Sequence, residues 1–170
     1  LEASSLYAGI MIDTNNFVNR TGVRTFEAAA FLRRHGADIT LVRKMFRDNM
    51  EAYRAKAEII SSAEVYRERF AIATGVGLAI ESPTIVGAQA ANELLDINAI
   101  KASFVLTEYN GRIYISARSI DEVNVQIIME RLGGGGHMNA SGAQFDYTYM
   151  DRAVAALKSV IDEMVEGGDI

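Results

Sequence analysis

The sequence has no cysteine, one proline and no long apolar run, and each shortage excludes a class of protein. Without cysteine there are no disulfides, no thiolate zinc sites and no cysteine nucleophile. No apolar stretch approaches the roughly 20 residues that a membrane-spanning helix needs. What remains are 170 residues, 49% of them apolar and 23% charged, which suffice for one good core or two small ones.

Positive charge is also scarce, with 17 Lys and Arg against 22 Asp and Glu and a formal net charge of −5. A broadly cationic surface that coats nucleic acid or a membrane is therefore not expected. A small local basic pocket is still compatible with a net charge of −5.

The first apolar segment, residues 6–13, predicts a buried parallel strand that ends in the carboxylate of Asp13. A buried strand needs neighbours on both sides, and none precedes this one in the sequence. Either later strands supply these neighbours or the chain is a fragment of a larger protein, and we favour the fragment.

The remaining pattern predicts an α/β fold, in the mixed α+β sense, with a largely antiparallel sheet and helices packed against it. Helices are predicted at 25–35, from Asp38 or Thr40, and at 50–62, 85–95, 124–132 and 149–165. Strands are predicted at 70–78, 102–109, 112–118 and 142–145, with a hairpin turn at Asn110-Gly111. Because residues 50–62 are charged and contain few large apolar side chains, we place a connecting helix and a boundary at 48–64.

The most unusual segment is a run of four glycines followed by a histidine, and it lies within residues 133–142: Gly133, Gly134, Gly135, Gly136, His137, Met138, Asn139, Ala140, Ser141, Gly142. One glycine satisfies a helix C-cap, so four exceed that role. The run predicts a loop whose amides form an anion nest, with His137 and Asn139 as further donors. The alternative is a flexible loop after a helix.

Arg118 lies between two hydroxyl residues, Ser116 and Ser119, at the end of the predicted hairpin. A guanidinium in this setting is suited to bind a phosphate with two parallel hydrogen bonds. Taken alone, Arg118 is better explained as an edge-strand arginine in solvent, because most arginines are exposed; the binding interpretation gains weight only if Arg118 meets the glycine segment in space. Asp13 has two interpretations as well, one as a ligand of a hard cation and one as a cap of the turn that follows.

Several segments together resemble the DHH/DHHA1 phosphoesterases. Residues 9–14 look like the last motif of a DHH domain, and residues 133–142 look like the signature of its partner, the DHHA1 domain. Residues 13–17, 20–22 and 24–28 are similar to the GdpP/YybT group of membrane-anchored cyclic-di-AMP phosphodiesterases. The resemblance extends over nearly the whole chain.

The resemblance implies a reaction in which two Mn²⁺ ions activate water to open cyclic-di-AMP to linear pApA. It implies that Asp13 is the last metal ligand. It further implies a substrate-binding set that grips the nucleotide: Ser116, Arg118, Ser119, Gly133, Gly134, Gly135, Gly136, His137 and Asn139.

The family's His-x-Asp-x-Asp, middle Asp and Asp-His-His motifs would precede Asp13 and are not in this sequence. We therefore expect a DHH remnant strand and helices over 1–47, a linker over 48–64 and a complete DHHA1 domain over 65–170. Such a chain should not hold two metal ions or hydrolyse anything efficiently. The resemblance also implies a cytoplasmic domain of a membrane-anchored bacterial parent, without membrane contact of its own.

Two other functions stay open. One is an oligoribonuclease or pAp phosphatase of the NrnA type, or a single-strand exonuclease. Its partner would be short single-stranded nucleic acid, because the net negative charge of the chain disfavours binding of long nucleic acid. The other is a non-catalytic interaction or dimerisation module, in which the glycines only permit close packing. A re-paired N-terminal strand would give a homodimer of another kind.

Overall fold

A computed structural model describes residues 1–120, 122–146 and 149–170 of the chain. The chain separates into two compact units, Leu1–Asp48 and Asn49–Ile170. Within the described ranges, no helix combines the length and the apolar character that crossing a membrane requires.

The first unit is helical, with α1 at Glu2–Asp13, α2 at Val23–Arg34 and α3 at Ile39–Met45. Helix α1 packs against the other two helices. The buried hydroxyl of Ser4 accepts a hydrogen bond from the Asp38 backbone N–H at 2.9 Å. The Asp38 carboxylate in turn caps α3, because it accepts from the N–H groups of Thr40 and Leu41; of the two predicted starts, Asp38 is therefore the correct one.

The predicted strand at residues 6–13 is wrong, because this segment is the last part of α1. The buried residues of α1 are Ser4 and Ala8, which are four positions apart and so lie on one side of the helix. The side chains of Leu6 and Ile12 are 62% and 70% exposed. A short apolar run has no period that separates a strand from a buried helix, so the sequence alone could not decide. The dimer expected from a re-paired N-terminal strand loses its basis with that strand.

The second unit is built on a six-stranded sheet in the order β1-β2-β3-β4-β6-β5. The strands are β1 Glu64–Tyr66, β2 Phe70–Gly75, β3 Ala102–Tyr109, β4 Arg112–Ser119, β5 Gly135–His137 and β6 Ala140–Asp146. The helices are α4 Met50–Ser61, α5 Pro83–Leu94, α6 Val125–Arg131 and α7 Met150–Gly167. Strands β2 and β3 are parallel with α5 as the connection, and the other pairs are antiparallel.

The predicted hairpin is confirmed, since β3 and β4 pair along their whole length from Ala102↔Ser119 to Tyr109↔Arg112. Its two-residue turn has φ angles of 51° at Asn110 and 72° at Gly111. Two positive φ angles define the turn whose twist fits paired antiparallel strands, and Asn-Gly adopts it at low cost.

Helices cover both faces of this sheet. On one, which we call the α7 face, Phe104, Leu106, Ile113 and Ile115 form the main core with helices α6 and α7. On the other, which we call the α5 face, a second core joins the sheet to α4 and α5. The predicted mixed α/β fold with flanking helices is confirmed.

Helix α4, predicted as a connector, packs against α5 and β2. Its Ile59 is completely buried in the second core. The helix therefore contributes to the second unit, and the break between the units falls at residues 48 and 49.

Candidate functional site

Strand β4 presents four of its polar side chains on the α5 face. Ile113, Ile115 and Ala117 are buried on the α7 face. Because side chains alternate along a strand, the residues between them point to the α5 face. These residues are Arg112, Tyr114, Ser116 and Arg118.

Arg118 and His137 lie on the same face of the sheet, in one cross-strand row. Arg118 is opposite Ala140 on β6, and Ala140 is opposite His137 on β5. Residues directly opposite each other in a ladder share a face. With neighbouring strands about 4.8 Å apart, the two Cα atoms are separated by roughly 9–10 Å. The side chains of Arg118 and His137 therefore flank one small residue on a single face of the sheet.

The Arg118 guanidinium is held by neutral acceptors. Its Nε donates to Asn92 Oδ1 on α5 at 3.0 Å, and Nη1 donates to the Ala117 carbonyl at 2.9 Å. Among the described residues, no carboxylate pairs with it and nothing accepts from Nη2. Burial lowers the pKa of Arg118 from its ordinary value, although an arginine stays charged at neutral pH. A half-buried cation without a counter-ion favours an anionic ligand.

Three of the four consecutive glycines are required by the backbone. Gly133 has φ +80° and ends α6, with Gly134 N–H donating to the Met129 carbonyl at 2.8 Å, the pattern of a Schellman cap. A Cβ on Gly134 would lie 2.1 Å from the carbonyl oxygen of Gly142. Gly136 has φ +145°, and its Cβ would lie 2.6 Å from Ser141 Cα.

Gly135 is the exception. A Cβ on this residue would meet no heavy atom within 4 Å, and its φ is not positive. Gly135 lies opposite Gly142, which lies opposite Ser116, so all three share the α5 face. Packing within the described chain therefore does not demand a glycine here. A ligand that contacts the backbone of β5 would demand one.

The predicted loop with an anion nest is wrong, because Gly135–His137 forms strand β5. Its residues pair with β6 in antiparallel register. In a strand, successive N–H groups point in alternate directions, so they do not converge on one anion as they do in a nest.

A cleft of about 430 Å³ opens on this part of the sheet. Helix α5 contributes Thr84, β4 contributes Tyr114 and Ser116, and the glycine segment contributes Gly133 and Gly134. Gly142 and Gln144 of β6 complete the polar and small lining. Arg118 follows Ser116 by two residues on the same face, about 7 Å along the strand. We call the cleft together with the Arg118–His137 row the α5 groove.

Ser119 and Asn139 serve the β5–β6 hairpin. Ser119 is 6% exposed and lies on the face opposite to Arg118, where its hydroxyl donates to the Met138 carbonyl at 3.3 Å. Its backbone N–H donates to the Asn139 carbonyl at 3.1 Å. Ser119 is therefore not among the residues that the α5 groove brings together, and Asn139 lies in the turn beside it.

Asp13 ends α1 in the first unit and is exposed. The turn after it is left-handed at Asn15, Asn16 and Phe17, with φ angles of 46°, 57° and 65°. Thr14 holds this turn, since its Oγ1 donates to the Ile10 carbonyl and accepts from the Phe17 N–H. Asp13 itself does not cap the turn through any hydrogen bond within the described ranges.

The sequence did not identify the other groove residues. Tyr114 was accessible in principle, because it alternates with Ser116 and Arg118 along β4. Gln144 required the β4–β6 register, and Thr84 and Asn92 required the packing of α5 on the sheet. No local pattern in the sequence encodes those placements.

The second unit is a three-layer α/β domain with a groove on one sheet face, beside an arginine that no described carboxylate pairs with. Residues 79–163 match the family described as the DHHA1 domain. The chain belongs to the DHHA1 family, as the resemblance of residues 133–142 predicts.

The chain is also similar to curated phosphodiesterases. It is 43% identical over 169 residues to cyclic-di-AMP phosphodiesterase GdpP of Geobacillus thermodenitrificans, a match that covers 99% of this chain and 26% of that protein. Cyclic-di-AMP phosphodiesterase PdeA of Listeria monocytogenes is 40% identical over 168 residues, covering 98% of this chain and 25% of the relative. The predicted similarity to this group is confirmed, and the chain spans about a quarter of the length of these relatives.

One solved structure is similar over both units. An exopolyphosphatase-related protein from Bacteroides fragilis superimposes with a TM-score of 0.85, covering 95% of this chain and 50% of that one at 24% identity. At this identity the likeness concerns the fold alone.

Proposed function

We propose that this chain is the substrate-binding part of a phosphodiesterase that opens cyclic-di-AMP to linear pApA, with the α5 groove as the nucleotide site. The observation that carries the proposal is Arg118, a half-buried cation that no described carboxylate pairs with and that shares a sheet face with His137. The curated relatives act on cyclic-di-AMP by name, which supports this choice of substrate.

Each groove residue has a chemical role in this proposal. The free Nη2 of Arg118 and a ring N–H of His137 donate to phosphate oxygens from two sides. Ser116 adds a hydroxyl between them and the cleft. Gly135 and Gly142 leave the backbone of β5 and β6 uncovered, so that the nucleotide lies directly against the sheet.

The described residues do not fit a two-metal centre. No group of three or more His, Asp or Glu side chains in the described ranges lies close enough to hold a metal ion. Asp13 supplies one exposed carboxylate at the end of α1. We retain Asp13 as one proposed ligand of a Mn²⁺ site completed by residues outside this sequence, and we assign no reaction step to it here. The isolated chain is accordingly proposed to bind the nucleotide without hydrolysing it efficiently.

Calorimetric titration of the 170-residue chain with pApA and with cyclic-di-AMP tests the proposal. Arg118→Ala and His137→Ala each remove a charge-assisted hydrogen bond, which is worth about 1.5–3 kcal/mol, or roughly 10- to 150-fold in affinity. Both variants should therefore bind pApA much more weakly than the wild type.

Arg112→Ala is the matched control. Arg112 lies on the same strand and the same face as Arg118, but its Nε pairs with Asp146 at 2.8 Å. Its loss should leave pApA affinity within about twofold of the wild type, because exposed ion pairs contribute little. Equal affinity in wild type, Arg118→Ala and His137→Ala would refute the groove as the nucleotide site. Tighter binding of a short oligoribonucleotide than of either dinucleotide would favour the oligoribonuclease alternative.

A further inference from the structure

We infer that Asn92 is a positioning residue that orients Arg118 toward the α5 groove; this inference rests on the proposed function. Asn92 lies near the C-terminal end of α5, whose first turn contributes Thr84 to the cleft. The helix therefore lines the cleft with its first turn and contacts Arg118 of β4 near its C-terminal end.

The hydrogen bonds of Arg118 fix the plane of its guanidinium. Asn92 Oδ1 accepts from Nε at 3.0 Å, and the Ala117 carbonyl accepts from Nη1 at 2.9 Å. Because the guanidinium is rigid and planar, two fixed nitrogens determine where the third one points. Nη2 is the nitrogen left without an acceptor in the described part of the chain. Asn92 thus restricts the rotation of the Arg118 side chain before a ligand binds, so that the ligand loses less binding free energy in ordering it.

The chemistry of the amide suits this role. A carboxylate at the same distance would form an ion pair and reduce the attraction of Arg118 for an anion. The amide oxygen accepts one hydrogen bond from Nε and carries no net charge. Burial without a counter-ion then keeps the positive charge of Arg118 available, whereas Arg67, Arg112 and Arg131 of the same unit each pair with acidic side chains.

A double-mutant cycle on the 170-residue chain tests the inference, with pApA as the probe. Asn92→Ala should weaken pApA binding about twofold to tenfold, because pApA would then have to order a freed Arg118 side chain. In the Arg118→Ala background, the same Asn92→Ala change should have no further effect, because Asn92 acts only through Arg118. Alanine favours a helix more than asparagine does, so α5 should remain folded.

The Arg118 Nε–H resonance in a ¹⁵N-labelled sample gives a readout that general destabilisation does not produce. We expect it to be resolved in the wild type and to move toward the position of solvated arginines in Asn92→Ala, while the core amides keep their shifts. Glu93→Gln is the matched control on the same helix, since Glu93 pairs with Lys56 of α4 at 2.6 Å. This control should change neither the Arg118 resonance nor the affinity.

The outcomes separate the inference from the proposed function. If Arg118→Ala binds pApA like the wild type, the proposed function fails and the inference fails with it. If Arg118→Ala binds weakly while Asn92→Ala binds normally, only the positioning role is overturned. A full additive effect of Asn92→Ala in the Arg118→Ala background would also overturn it, because Asn92 would then contact the ligand or the fold independently.

Discussion

Adding one methyl group at two adjacent glycines should have opposite consequences for stability and for binding. A Cβ on Gly134 would lie 2.1 Å from the Gly142 carbonyl oxygen and 2.6 Å from Ala143 Cα, both backbone atoms that cannot move away separately. A Cβ on Gly135 would meet no heavy atom within 4 Å. The two variants therefore have the same composition and differ only in whether the methyl group is added just before β5 or at its first residue.

The expected magnitudes follow from these contacts. Gly134→Ala forces the backbone just before β5 away from β6 and should lower the free energy of unfolding by about 1–3 kcal/mol, the usual cost of overpacking. Gly135→Ala restricts the unfolded chain without creating a clash, so it should raise that free energy by about 0.4–1 kcal/mol. In urea unfolding followed by circular dichroism, the midpoints should move in opposite directions.

The affinity for pApA should fall in Gly135→Ala, the variant whose free energy of unfolding is not lowered. The Gly135 methyl group would project into the α5 groove, opposite Gly142 and in line with Ser116. If pApA lies against the backbone there, Gly135→Ala should weaken calorimetrically measured binding at least tenfold, or about 1.4 kcal/mol. A more stable Gly135→Ala protein with unchanged pApA affinity would refute the placement of the nucleotide on β5. Loss of stability in that variant would refute the assignment of open space above Gly135.

Two further predictions concern residues outside the groove. Ser119→Ala removes the hydroxyl that donates to the Met138 carbonyl on the α7 face. The change should lower the free energy of unfolding by about 0.5–1.5 kcal/mol and leave pApA affinity unchanged. Weaker pApA binding without a loss of stability would instead return Ser119 to the substrate-binding set. Asp13→Asn, and likewise addition of EDTA to the wild type, should leave pApA affinity of the 170-residue chain within about twofold, because the proposed contacts are side-chain hydrogen-bond donors and not metal ions. A larger drop in either titration would show that a bound cation takes part in nucleotide binding.

The sequence predicted most helices of this protein from local signals. The Asp38 cap, Pro83 in the first turn of α5 and the Asn110-Gly111 turn each act within a few residues, so that their effect is visible without tertiary context. The segment at residues 6–13 failed because its apolar side chains form a short run without alternation. In the folded unit only one side of that run is buried, and Leu6 on the other side is exposed.

In the candidate site, too, some features follow from the sequence alone and others only from the tertiary structure. The sequence alone determined that Arg118 and His137 stand on a hairpin strand and beside a glycine run, because these are properties of residue type and spacing. Only the tertiary structure decided that they share one sheet face, since this depends on the insertion of β6 between β4 and β5 and on its register. A register shifted by one residue would turn His137 to the opposite face. The partnership of Asn92 with Arg118 and the difference between Gly134 and Gly135 are likewise long-range results, because each depends on which atoms the fold brings within a few ångströms of a side chain.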